Sequence, residues 1–311
     1  MEGLRVTVIG VSSSYNAEHF FVKALRSLGH SVEFVDQYQG VDRKFLTRFL
    51  STRFPPYRFR LSRLPVNRRE LGNPDLVLVF KGELLTDYTL SRLSQLNSYL
   101  FYPDTYRFPS ILRGRLHHFQ GVLVTTERTF PFIRMGARRV FTVRWACDPE
   151  FHRPLPEGKV YDVSFVGTFY PNRWSLLRRL RVKPHVFGSF WYLKAGYRHP
   201  PVFGEEYVRV LNRTKVNLNV HHPVDLAADA PNMRTFEVAG TGGFLLTERM
   251  ECLPRLFRRV ETYSSVEDLN EKLAYYLEDE KERREVGESL RRDCVERHTY
   301  LHRAEEILRL V

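Results

Sequence analysis

Cysteine is scarce in this chain of 311 residues, and several signatures that would fix a chemistry outright are missing. Cys147, Cys252 and Cys294 are far apart, odd in number and free of CxxC spacing. That argues for reduced thiols in a cytoplasmic setting and against a zinc site. No apolar run approaches the roughly 20 residues that cross a bilayer. Met1-Glu-Gly-Leu-Arg-Val-Thr-Val-Ile9 leads straight into a strand, so no signal peptide is expected. The absence of DxD leaves a carboxylate-held, phosphate-chelating metal without a seat. The absence of Gly-x-Ser-x-Gly and of a Ser-His-Asp pattern argues against nucleophilic hydrolysis. Acidic residues are outnumbered: 36 Asp and Glu face 48 Lys and Arg, a formal net charge of +12, with a pI near 9.7. Such a surface suits anionic partners: nucleotides, nucleic acid or an acidic lipid face.

What is present reads as a globular protein, 43% hydrophobic and 27% charged, long enough for two domains. Residues 4–10 predict a strand, 16–28 a helix closed by Gly29-His30, and 31–35 a second strand. This is a Rossmann-type βαβ opening, yet its Val11-Ser-Ser-Ser-Tyr-Asn loop lacks GxGxxG, so a dinucleotide cofactor is not expected. Residues 43–69 interleave Arg, Lys, Phe and Tyr around Pro55-Pro56. They suit an acceptor lid, a membrane-surface contact or a nucleic-acid contact, or equally a solvated insertion. The alternation resumes with Asp75-Leu-Val-Leu-Val-Phe80, an apolar run typical of a buried parallel strand. Helix 86–96, strand 98–102, strand 121–125, helix 127–135 and strand 139–143 follow. Asp104, just past the carboxyl end of a strand, is a candidate base or acceptor-binding group, or merely a helix cap.

Residues 144–160 are proline-containing and aperiodic and read as the interdomain linker. The pattern then restarts with strand 161–166, helix 172–181, strand 186–191 with its turn, helix 204–213 and strand 215–220. The chain closes with helices 265–278, 281–297 and 300–310. Between them lies Asp229-Ala-Pro-Asn-Met-Arg-Thr-Phe-Glu237-Val-Ala-Gly-Thr-Gly-Gly-Phe-Leu-Leu-Thr247, which reads as loop, short helix, glycine break and strand. A helix end here presents free N–H groups beside Asp229, Asn232 and Arg234, an arrangement that binds phosphate. Glu237, two turns below Asp229, is placed to accept hydrogen bonds from ribose hydroxyls. An ordinary helix-capping Asp explains the spacing about as well. His298 with His302, and His117 with His118, find no further metal ligands and read as structural. Glu278-Asp-Glu280 falls at a helix end as solvated charge.

Several stretches together resemble the CgeB-like (spore maturation type) glycosyltransferases, relatives of glycosyltransferase family 4. They are Asp75-Leu-Val-Leu-Val-Phe-Lys-Gly82, Tyr102-Pro-Asp104, Asp148-Pro-Glu-Phe151, Tyr161-Asp-Val-Ser-Phe-Val-Gly-Thr168, Val186-Phe-Gly-Ser-Phe-Trp191, Asn232 to Thr247, and His298-Thr-Tyr-Leu-His-Arg303. The resemblance implies an α/β protein of GT-B type, two Rossmann-like domains facing a central cleft. Expected domains are residues 1–147 on the acceptor side and 148–298 for the donor, with 299–311 a terminal helix that returns to the first domain. It implies a metal-independent hexosyltransferase-like enzyme with a UDP- or GDP-linked sugar as substrate, no separate cofactor, and retained anomeric configuration. Asp229 and Glu237 stand at the family's acid pair, seven residues between them. Glu237 would hold the ribose, Asp229 would face the sugar, and the N–H groups of Asn232 and Met233 the diphosphate. Arg173, Lys215 and Arg234 are candidates for charge on the leaving diphosphate, Gly167 and Thr168 for backbone contact, and Asn219 and His222 for the donor's surroundings. Ala230 and Asn232 stand where the family's loop carries glycines. The acceptor could be a glycan, lipid-linked sugar, protein or DNA, reached in the cytoplasm or at the inner membrane face. The competing reading is a non-catalytic basic protein that binds nucleic acid or membrane through 43–69 on a degenerate scaffold.

Overall fold

The computed structural model describes residues 3–39, 64–105, 112–191 and 199–310, so the expected basic-aromatic segment 43–69 falls outside it up to position 63. The chain divides into two compact units, 1–144 with 303–311, and 145–302. The first division therefore falls three residues before the boundary read from the sequence.

The first unit is built on one parallel sheet of six strands: β1 (Arg5–Gly10), β2 (Ser31–Asp36), β3 (Leu76–Phe80), β4 (Ser98–Tyr102), β5 (Gly121–Val124) and β6 (Val140–Thr142). Their order is β2-β1-β3-β4-β5-β6, with Val8 paired to Phe34 on one side and Leu78 on the other. All residues of β3 and β4 are buried, as strands covered on both faces require. Helix α1 (Ala17–Ser27) ends at Gly29, whose φ of +86° is accessible to glycine without a Cβ clash. From α1, Phe21 meets Phe80 and Phe101 at centroid distances of 5.4 and 5.5 Å. Burial of each such ring contributes about 1.5–3 kcal/mol. Helices α2 (Pro65–Arg68), α3 (Asp87–Leu93) and α4 (Phe130–Arg134), with a 3-10 turn at Leu116–His118, lie in the described connections.

The second unit holds a five-stranded parallel sheet of β7 (Tyr161–Val166), β8 (His185–Phe187), β9 (Thr214–Asn219), β10 (Leu245–Glu248) and β11 (Glu261–Tyr263), ordered β11-β10-β9-β7-β8. Its helices are α5 (Pro171–Leu177), α6 (Gly204–Asn212), α7 (Pro223–Ala227), α8 (Met233–Thr241), α9 (Leu253–Leu256), α10 (Val266–Glu278) and α11 (Glu280–Arg297). The last helix, α12 (Tyr300–Leu310), joins the first unit from Arg303 onward. There Arg303 Nε donates to the Arg144 carbonyl at 3.0 Å.

Some elements differ from their sequence reading. Helix α5 stops at Leu177 rather than 181, and the Arg181 N–H is taken by Asn270 Oδ1 at 2.8 Å. Strand β8 stops at Phe187, because the next residue crosses over the β7 loop. Helix α8 runs through Gly240 to Thr241, and a left-handed Gly242 (φ +71°) closes it. Glycine is required at 240 because a Cβ there would meet Cys147 Cβ at 2.9 Å and His152 Cβ at 3.0 Å. Helix α7 had no apolar periodicity long enough to announce it.

Candidate functional site

In the second sheet the strand order reverses between β7 and β9, since their next strands lie on opposite sides. Open α/β sheets bind ligands at the carboxyl ends of strands at such a point. The chain here consists of the loop after β7, the turn after β9 and the start of α8.

The loop after β7 is tightly built. Gly167 N donates to the Phe187 carbonyl at 2.8 Å, and the Gly167 carbonyl accepts from Trp191 Nε1 at 2.8 Å. A Cβ on Gly188 would lie 2.0 Å from the Gly167 carbonyl oxygen, so the crossing admits only glycine. Arg173, at the start of α5, donates to the Val220 carbonyl at 3.0 Å and the Thr168 carbonyl at 2.8 Å. Its guanidinium lies over Phe165 and Tyr170. Arg173 thus braces the two loops against each other, with two of its donors committed to main chain.

After β9, Asn219 and Asn232 exchange amide hydrogen bonds of 3.1 and 3.0 Å. Asn219 Nδ2 also reaches Thr235 Oγ1 at 3.2 Å. Asn232 is the N-cap of α8, but its side chain faces Asn219 and makes no cap hydrogen bond. The positive end of α8 is therefore left without a side-chain cap, which suits an anion. One residue into the helix, Arg234 lies 5.7 Å over the Tyr207 ring, and its Nε has no partner among the described residues. The buried His221 takes Glu248 Oε2 with both its main-chain N–H, at 2.5 Å, and its Nδ1, at 3.1 Å. Its neighbour His222 accepts from the Val224 N–H at 3.2 Å, capping α7, and meets Tyr170 edge to face.

Glu237 lies deeper, 4% exposed on α8. Tyr207 Oη donates to its Oε2 at 2.6 Å, and His152 Nε2 stands 3.7 Å from its Oε1. Burial, then the Glu237 charge, push the Tyr207 phenol well above its ordinary value. Burial holds the His152 imidazole below its ordinary value, against the pull of Glu237 and Asp148. Past the carboxyl ends of β10 and β11, a cavity of about 590 Å³ is lined by Glu248, Arg249, Met250, Tyr263, Ser264 and, from α5, Leu176, among others.

The structure brings Gly167, Thr168, Arg173, Asn219, His222, Asn232, Met233, Arg234 and Glu237 to this edge of the sheet. It corrects Lys215, whose Nζ pairs with Asp162 Oδ1 at 2.7 Å. Lys215 stands at the amino end of β9 and Asp162 at that of β7. At about 3.3 Å per residue it is roughly 13 Å from Asn219, at the wrong edge for a leaving diphosphate. Asp229 is 7% exposed at φ +52°, and its Oδ1 accepts from the Cys252 N–H at 3.2 Å, so at least part of its carboxylate serves the start of α9. Asp104 belongs to the first sheet's carboxyl edge, 2.5 Å from Lys81 Nζ. Nearby, Lys81 and Thr105 have left-handed φ of +60° and +52°, and Glu18, 8% exposed, has its carboxyl raised by burial. Sequence reading missed Tyr207, His152 and Glu248. Tyr207 lies thirty residues before its partner on another helix, so no spacing pointed to it; His152 stands beside the Asp148-Pro149 stretch, the nearest thing to a signal. Among the described residues no group of three or more His, Cys, Asp or Glu could hold a metal ion, and no helix is long and apolar enough to cross a membrane.

Residues 172–309 match a family model described as glycosyl transferase-like. No curated protein matches the chain. Among solved structures, Anabaena Alr3699/HepE in complex with UDP and glucose has a TM-score of 0.64 at 10% identity over 99% of each chain. Sucrose-phosphate synthase from Thermosynechococcus elongatus has 0.63 at 11% identity over 98% of each. The DNA-modifying enzyme β-glucosyltransferase, solved with and without its substrate uridine diphosphoglucose, has 0.59 at 12% identity over 96% of each. The fold is therefore GT-B, two Rossmann-like α/β domains with parallel sheets. Within it, residues 172–309 carry a glycosyl transferase-like domain.

Proposed function

We propose that this protein moves a sugar from a nucleotide-sugar donor, UDP- or GDP-linked, to an acceptor hydroxyl, as a transferase of the CgeB-like type. The observation that carries the reading is the uncapped start of α8, with the unpartnered Nε of Arg234 beside it and Glu237 one turn further on. A diphosphate meets the Met233 and Arg234 N–H groups and the Arg234 side chain; charge-assisted bonds of this kind contribute about 1.5–3 kcal/mol each. Ribose hydroxyls meet Glu237.

In the reaction the bond from the sugar's anomeric carbon to the diphosphate oxygen breaks, and its electron pair leaves with the diphosphate. The acceptor oxygen forms the new bond and releases its proton. Fixed N–H dipoles and arginine stabilise the departing charge, so no metal is called for. We assign retention of configuration, and we assign Asp104, paired with Lys81, to the acceptor hydroxyl. The acceptor itself is a glycan, lipid-linked sugar, protein or DNA; a net charge of +12 favours one carried on an anionic surface.

The test is thermal shift with UDP-, GDP-, ADP- and dTDP-linked sugars on wild type and Glu237→Ala. One nucleotide class should raise the melting temperature of the wild type and not of the variant. Absence of a shift with every donor would sink the reading.

A further inference from the structure

Glu237 is a buried carboxylate, and its neighbours come from two other segments. Tyr207, on α6, is 8% exposed and holds Oε2 at 2.6 Å. His152 receives the Asp148 N–H on Nδ1 at 3.0 Å, so the neutral ring carries its proton on Nε2, which faces Oε1. Arg234 covers the Tyr207 ring. An ionised carboxylate has about four lone-pair positions, and a single phenol occupies one. A glutamate with three side-chain torsions would otherwise sample several rotamers; a short bond from a rigid buried phenol selects one of them.

Resting on the donor-site reading above, we propose that Tyr207 is a positioning residue for ribose recognition: its hydroxyl fixes Glu237 so that the remaining lone pairs accept the vicinal hydroxyls of the nucleotide. The bland alternative is that the Tyr207–Glu237 bond only fastens α6 to α8. The two differ in what they do to sugar discrimination. A fastener affects every nucleotide alike, whereas a positioning residue affects only those that offer the hydroxyls Glu237 reads.

The experiment is calorimetric titration of the full chain with UDP, GDP and their 2′-deoxy counterparts. Wild type should prefer the ribonucleotide. Tyr207→Phe keeps the ring beneath Arg234 and removes the hydroxyl, and with it both the bond to Glu237 and the polar contact with Arg234; any loss through Arg234 falls on ribo- and deoxynucleotides alike. It should weaken ribonucleotide binding about tenfold and deoxynucleotide binding far less, so the ratio of the two affinities falls. The double variant Tyr207→Phe/Glu237→Gln should bind no more weakly than Glu237→Gln, since residues acting as one unit are not additive. Glu237→Asp, which withdraws the carboxylate from an intact Tyr207 by one methylene, should lower the same ratio and serves if Tyr207→Phe does not fold. A ratio left unchanged by the substitutions, or a wild type indifferent to the 2′-hydroxyl, overturns the proposal and leaves the donor site standing. A wild type that binds neither UDP nor GDP overturns the donor site, and the proposal with it.

Discussion

Arg234 and Lys215 are both cations of the second unit, and their surroundings give them different work. Arg234 sits one residue into α8 with its Nε unpartnered and its guanidinium over an aromatic ring, so an incoming anion finds donors that cost little to reorganise. Lys215 is satisfied by Asp162 in a pair whose side chains are 36% and 60% exposed. Such pairs contribute about 0–1 kcal/mol. Lys215→Ala is therefore expected to change urea-unfolding stability by less than about 1 kcal/mol and to leave nucleotide affinity untouched. A loss of affinity would restore it to the site. The strand boundaries already placed Lys215 at an amino end; what misled was its charge, which carries no information about the edge it occupies.

At the scale of elements, the donor edge depends on two loops crossing at van der Waals distance. Gly188 passes over the Gly167 carbonyl with no room for a Cβ, and Trp191 Nε1 anchors the same carbonyl. Gly188→Ala must push two backbones apart, and overpacking of this kind costs about 1–3 kcal/mol. The expected result is a lower urea midpoint with an unchanged m-value, and weaker nucleotide binding. A variant as stable as wild type would show that the crossing is looser than the 2.0 Å approach implies. The long strands and helices were legible because burial on both faces gives Leu76–Phe80 an unbroken apolar run, and because α10 and α11 are 13 and 18 residues long, α10 with Leu269, Leu273 and Tyr276 buried along one face. Helices α7 and α9, of five and four residues, carry too few turns for a period to appear.

Across the whole molecule, buried ionisable groups tie stability to pH in both units. The His152 ring is neutral in the fold, its pKa held below 6.5 by burial. As pH falls through about 6.5 the unfolded chain takes up that proton first, so the native state loses stability on acidification until the folded value is reached. Glu18 and Glu306, raised by burial, act in the opposite sense: the native state retains their protons above 4.5 and loses that advantage as pH rises. Because both persist in a single-site variant, the comparison isolates the histidine. His152→Gln should show a smaller drop in melting temperature between about pH 7 and 5.5 than wild type. An identical drop would mean that this imidazole is not held neutral in the fold.

Local pattern determined much of this protein. Hydrophobic period, glycine breaks and strand–helix alternation specify two parallel α/β layers, because those signals act between residues close in sequence. The same pattern placed Asn232, Met233, Arg234 and Glu237 at a helix start. Which groups those residues meet was decided by tertiary structure alone. Tyr207, His152 and Asn219 reach α8 from segments whose separation along the chain has no period. Whether Asp229 faces a ligand or the start of α9 depends on where Cys252 lies, not on the spacing of two acids. Hydrogen bonds between distant segments form only after the sheet has brought their ends to one edge, and a linear pattern does not carry that geometry.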